Sequence, residues 1–160
     1  MTTLLLFSLL IGFAIFAINT NQKKKVEQFP PKWNNLLLKH VAFYDDLSPE
    51  EQKRFQNRMM TFLSEVHLES VGFELNDLDK VYIASSAVIP VFNFPEWHYR
   101  NLSTVLVYPD HFNEDLGFAQ NDKDRKIGGL VGTGRFENQM ILSRKALHEG
   151  FSPHSPKLNT

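Results

Sequence analysis

LSPEEQKRFQNRMMTFLSEV (47–66), NDLDKVYIASSAVIPVF (76–92) and TVLVYPDHF (104–112) decide the fold of this chain. In the first, Ser48 is placed to cap a helix, Pro49 suits the first helical position, and Glu51 completes an S-x-x-E capping box. Phe55, Met59, Phe62, Leu63 and Val66 then recur at i, i+4, i+7, i+8 and i+11, a continuous apolar stripe that predicts burial against a core. In the second stretch Asn76 caps another helix, with Asp77 and Asp79 placed favourably against the dipole of its first turn. In the third, the β-branched run Thr104 to Tyr108, bounded by Asn101 and Pro109, predicts a buried strand.

Outward from this centre the pattern stays mixed. Lys32 to His40 carries Trp33, Leu36 and Leu37 at helical spacing, continued by Val41, and predicts a short docking helix with Trp33 in the core. Val66 to Phe73 alternates polar and apolar residues and predicts a strand. Ile127 to Phe136 and Gln139 to Leu142 predict two more, with Glu137 and Asn138 in the turn between them. Ser143 is placed to cap a last short helix, and Gly150 is expected to end it in the left-handed region. The fold class is therefore α+β, amphipathic helices packed on a small mixed β-sheet.

Composition bounds the function. The chain has 160 residues, 42% apolar and 22% charged, with a net charge of −1. That leaves room for one membrane element and one domain of roughly 130 residues. It provides no overall attraction to nucleic acid, and no nucleic-acid partner is expected. Without cysteine there are no disulfides and no thiolate ligands, so a metal site would have to use His, Asp or Glu.

MTTLLLFSLLIGFAIFAI (1–18) has no charged side chain and eleven Leu, Ile or Phe. Together these supply about −5 kcal/mol toward bilayer insertion. Lys23, Lys24 and Lys25 follow this run, and neither a basic leader nor an A-x-A cleavage site is present, which favours a retained transmembrane anchor over a signal peptide. The positive-inside rule keeps the lysines cytoplasmic. The expected organisation is an anchor over 1–20, a basic and Pro-containing linker over 21–31, and a domain from residue 32 on the cytoplasmic side of the inner membrane.

Several motifs fail on their chemistry. GGLVGTGR (128–135) lacks the Lys-Ser/Thr pair of a phosphate-binding loop and the G-x-G-x-x-G spacing of a dinucleotide turn, and predicts a strand edge instead. His148-Glu149 begins like HExxH, but the fifth position is Ser152, and Gly150 and Pro153 interrupt the helix that would align two imidazoles. Asp115, Asp122 and Asp124 do not have calcium-loop spacing.

Taken in order, the LSPEEQ helix start, the helix ending in IPVF, the VLVYP strand and the MILS strand leading to Ser143 resemble the front half of the MtfA-type (Mlc titration factor A, glucose-regulated) zinc-dependent peptidases. The resemblance covers 33–160. It implies that 32–160 is the N-terminal part of a zincin-like metallopeptidase domain. In that family an HExxH helix supplies two zinc-binding imidazoles and a Glu that acts as general base on the zinc-bound water. The resemblance places that motif beyond Thr160, with no catalytic residue and no metal ligand within the chain. Zinc is then the cofactor of the complete protein, and this chain alone is expected to bind none and cleave nothing. By analogy with zinc peptidases the strand before the active helix pairs with substrate backbone. This implies a substrate-binding edge at Gln139, Met140, Ile141, Leu142 and Ser143, with Arg135 and Phe136 near the groove. The expected partners are a peptide or protein substrate and the lipid bilayer, through residues 1–20. The alternative expectation is a non-catalytic, membrane-tethered binding or regulatory module.

Overall fold

A computed structural model describes residues 26–112, 127–131 and 137–152. The expected anchor, Arg135, Phe136 and the acids of the 113–126 segment lie outside the described residues. Among the described residues no helix is long and apolar enough to cross a membrane.

The elements follow one another as α1 (Lys32–His40), α2 (Ala42–Asp45), α3 (Pro49–Glu65), β1 (His67–Ser70), α4 (Asp77–Val88), a 3-10 turn (Ile89–Val91), β2 (Thr104–Tyr108), β3 (Gly129–Val131), β4 (Gln139–Ser143) and α5 (Arg144–Gly150). α3 starts as its sequence demands. The Ser48 hydroxyl accepts from the Glu51 amide while Glu51 accepts from the Ser48 amide, so two otherwise orphaned donors are satisfied. α4 repeats the device with Asn76 and Asp79. Two details depart from expectation. The four-residue helix α2 has too few residues for a periodic signal. Gly150 is the last helical residue, with no positive φ, and the cap Phe151 stacks its ring on Tyr82 at 4.3 Å. Aromatic packing, not a left-handed glycine, secures the end of α5.

The sheet has the order β1-β2-β4-β3, with β1, β2 and β4 parallel and β3 antiparallel to β4. Its helix-facing side carries Leu68, Val105, Val107, Met140 and Leu142, packed against the core of Phe55, Met59, Phe62, Val81, Ile83 and Val88. Each fully buried side chain of this size contributes about 1.5–3 kcal/mol. The other side buries Ile141, while Phe112 is likewise fully buried, its ring 5.5 Å from that of Tyr108.

The pairing corrects one expectation. Gln139–Ser143 is not a sheet edge, because β2 takes one side and β3 takes the other. The edge belongs to β3. A parallel strand entering beside β2 leaves its second side open, and the antiparallel return through Asn138, at φ 65°, fills it with Gly129–Val131.

Just before β3 the backbone runs close to α5. A Cβ at Gly128 would sit 2.9 Å from the Cβ of Ala146 on α5, whereas one at Gly129 would meet its nearest atom at 3.4 Å. Gly128→Ala is therefore expected to force β3 and α5 apart at a cost of about 1–3 kcal/mol. Gly129→Ala should stay close to wild type. Thermal unfolding of the two variants checks this, and equal midpoints would contradict it.

Candidate functional site

Three features converge at the β3 end of the sheet: a backbone edge that is unpaired among the described residues, an aromatic loop and a cleft. The Ser143 amide donates to the Gly128 carbonyl at 2.8 Å, so position 128, and two residues on Leu130, direct their polar groups toward β4. Gly129 and Val131 direct theirs outward. Among the described residues nothing takes them, while the preceding outward residue, Ile127, bridges Phe112. All three residues of β3 are exposed, Val131 at 69%.

The loop that follows α4 is built to be rigid. The Arg58 guanidinium donates to the carbonyls of Val91, Phe92 and Phe94 at 2.7–2.9 Å. Tyr99 donates its hydroxyl to the Ala87 carbonyl at 2.8 Å and sets its ring edge-on to Phe62. His98 Nδ1 lies 2.8 Å from Glu65 Oε1. These ties hold Phe94 and Trp97 in the open, 60% and 51% exposed. Between this loop, Val131 and the start of β4 lies a cleft of about 840 Å³, a size that suits a ligand.

A second cluster holds α5 in place. Asp79 is fully buried, and its Oδ1 accepts from Arg144 Nε at 2.8 Å and from His148 Nε2 at 2.6 Å, while Oδ2 accepts from the Asn76 amide. Burial alone would raise the Asp79 carboxyl, but the bonds from Arg144, His148 and Asn76 outweigh it and hold the group below the usual carboxylate range. His148 also lies edge-on to Tyr82 at 4.9 Å, and the Arg144 guanidinium sits 5.1 Å above the Phe73 ring.

The residues singled out in the sequence have divided. Gln139 and Met140 line the cleft, and Leu142 lines a smaller apolar cavity behind it. Ile141 and Ser143 are fully buried, the former as core and the latter as the cap that accepts from the Ala146 amide. Arg135, Phe136 and His154 lie outside the described residues. Sequence reasoning missed the Asp79, Arg144 and His148 cluster, since its members are 65 and 69 positions apart. It also missed the aromatic loop, whose one local signal was FNFPEWHY (92–99), three large apolar rings around a proline.

The described residues do not fit a zinc ion. No three His, Asp or Glu side chains among them could converge on one. His148 Nε2 is committed to Asp79, and a cation there would face the Arg144 guanidinium. His67 and His98 are each paired with a single carboxylate, Glu69 and Glu65.

Comparison with known proteins places the chain in the class of metallopeptidase-related proteins. It belongs to the glucose-regulated metallo-peptidase M90 family, whose sequence model matches residues 17–160. It is also similar to the uncharacterized protein slr2042 of Synechocystis sp. (strain ATCC 27184 / PCC 6803 / Kazusa), 31% identical over 84 residues. That match covers 52% of this chain and 30% of the relative, so the chain spans under a third of that protein's length. No solved structure matches.

Proposed function

We propose that this chain is the N-terminal scaffold of a membrane-anchored, zinc-dependent metallopeptidase. In this reading residues 1–20 anchor it in the inner membrane with the domain on the cytoplasmic side. The zinc ligands come from residues outside the described ones. The observation that carries the reading is the family match over 17–160.

The part assigned to the scaffold is to hold the substrate. An extended peptide or protein segment pairs with the outward N–H and C=O groups of Gly129 and Val131, adding a strand to the sheet. Gln139 and Met140 contact it from the cleft. The backbone edge supplies affinity without regard to sequence, because every substrate residue offers the same amide groups.

Val131→Pro in the complete protein tests this placement. Proline removes the outward N–H while leaving the bonds between Leu130 and β4, so the fold should hold. Peptide cleavage, read as kcat/KM, is expected to fall at least about tenfold, the equivalent of about one net hydrogen bond. An unchanged kcat/KM would remove β3 from the substrate site. Separately, carbonate extraction of membranes should leave the complete protein in the pellet, and full release would refute the anchor.

A further inference from the structure

Charge is not spread evenly along the chain. Five lysines stand against one glutamate over residues 1–41, whereas acids outnumber Lys and Arg by five from residue 42 on. Within the basic part, α1 buries Trp33 and Leu37 and exposes four residues, Lys32, Asn35, Leu38 and Lys39. At about 100° per residue these four fall on one stripe about 120° wide. No acid occurs in α1, and Leu38 is 40% exposed beside Lys39. We infer that this face of α1 rests on an anionic bilayer surface, its lysines at the lipid headgroups and Leu38 at the acyl boundary.

This rests on the reading of residues 1–20 as a membrane anchor and adds where the domain itself meets the lipid. Only residues 21–25 separate that anchor from Val26, so Val26 lies at most about 22 Å from its end. Beyond Val26 the path is tied to α1. Phe29 sets its ring edge-on to Trp33 at 6.1 Å, and the Trp33 and Asn34 amides donate to the carbonyls of Pro30 and Pro31. The tether is thus short enough to bring α1, itself about 14 Å long, down to the headgroups. Lys32 pairs with Asp77 at 2.5 Å, but Lys80 acts on the same carboxylate, so the junction of α1 and α4 keeps a positive surplus. Lys39 stands in solvent at the other end of the helix. A surface held beside the helix by a short tether is met at high effective concentration, so a few lysines suffice to dock it.

The test uses the complete protein in vesicles of phosphatidylcholine, alone or mixed with phosphatidylserine. Asn35→Cys on the exposed stripe carries a fluorophore, which leaves Leu38 and the lysines in place. Lipids with a nitroxide on the headgroup are expected to quench this label more strongly in the mixed vesicles, and added salt should weaken the difference. Lys39→Gln should lower the ratio of docked to undocked domain, read from the quenching, about fivefold, the effect of one lysine at a charged surface. Lys80→Gln serves as a second variant, and thermal unfolding confirms that each is folded. Quenching that is equal in the two kinds of vesicle, or that neither variant changes, would overturn the inference. So would a label shielded both from the lipid nitroxide and from iodide in water, which would mean that protein covers α1. Should carbonate release the protein while added mixed vesicles still quench the label, the docking face stands and the anchor falls. Retention in the membrane with an unquenched label does the reverse.

Discussion

Asp79→Ala is expected to destabilise the domain by about 3 kcal/mol, near the lower end of the range for removing one partner from a buried charge cluster. The carboxylate is fully buried and serves three donors at once. Its loss strands the Arg144 and His148 donors and removes the second half of the capping box at Asn76. Both stranded side chains are about one-third exposed, 34% and 33%, so water takes over part of their solvation. That keeps the cost below the upper end of the range. Asp79→Asn retains the shape and one acceptor oxygen, and should cost less. The pH dependence follows from the depressed folded-state pKa. Such a group contributes stability above its unfolded value, about 3.9, and loses it as pH falls through the lower folded value. Urea unfolding of wild type and Asp79→Asn should therefore differ most at neutral pH and converge in acid. A gap that stays constant down to acid pH would show that the charge contributes nothing.

Phe55→Ala should cost about 3–5 kcal/mol, for a different reason. Phe55 has no exposed surface, and its ring lies 5.5–6.0 Å from those of Phe43, Tyr44 and Phe92. It joins α3 to α2 and to the 3-10 turn that opens the aromatic loop. Removing the ring leaves a void bounded by three other rings, each fixed by its own backbone, so the walls have little freedom to close. Phe55→Leu keeps part of the volume and should retain more than half of the lost stability. A lower urea midpoint with an unchanged slope would mark the effect as one on the folded state. A loss under about 1 kcal/mol for the alanine variant would mean that this cluster is not the core.

What the sequence disclosed and what it withheld divide along the range of the interactions. Ser48 with Glu51, Asn76 with Asp79, and the stripe from Phe55 to Val66 are settled within one helix, so the starts of α3 and α4 could be read directly. The strands at 104–108 and 139–143 were visible as short β-branched or apolar runs between turn residues. Their neighbours were not. Whether Gln139–Ser143 is an edge depends on where Gly129–Val131 lands: the turn at Glu137 and Asn138 was legible and brings β3 to one side of β4, but that β2 takes the other side is a long-range pairing that no local pattern encodes. Gly128 looked like one flexible glycine among several until Ala146 was found against it. Asp79 was legible only as an acid of the first helical turn, because the partners that pair with it in the core, Arg144 and His148, belong to α5. The fragment His148-Glu149 was set aside on spacing alone, and the contact between its imidazole and Asp79 was not legible in the sequence.

The candidate site divides in the same way. Gln139 and Met140 were reachable from sequence order, while the cleft they line depends on the 92–99 loop. That loop takes its shape from Arg58, more than thirty residues earlier.

Elemental analysis of the complete protein, purified without added metal, tests the central claim most directly when done beside its His98→Ala and His148→Ala variants. The account predicts about one zinc per chain in all three, because a zinc peptidase site takes its three protein ligands from outside the described residues. Absence of zinc from the wild type, or its loss in either variant, would contradict it.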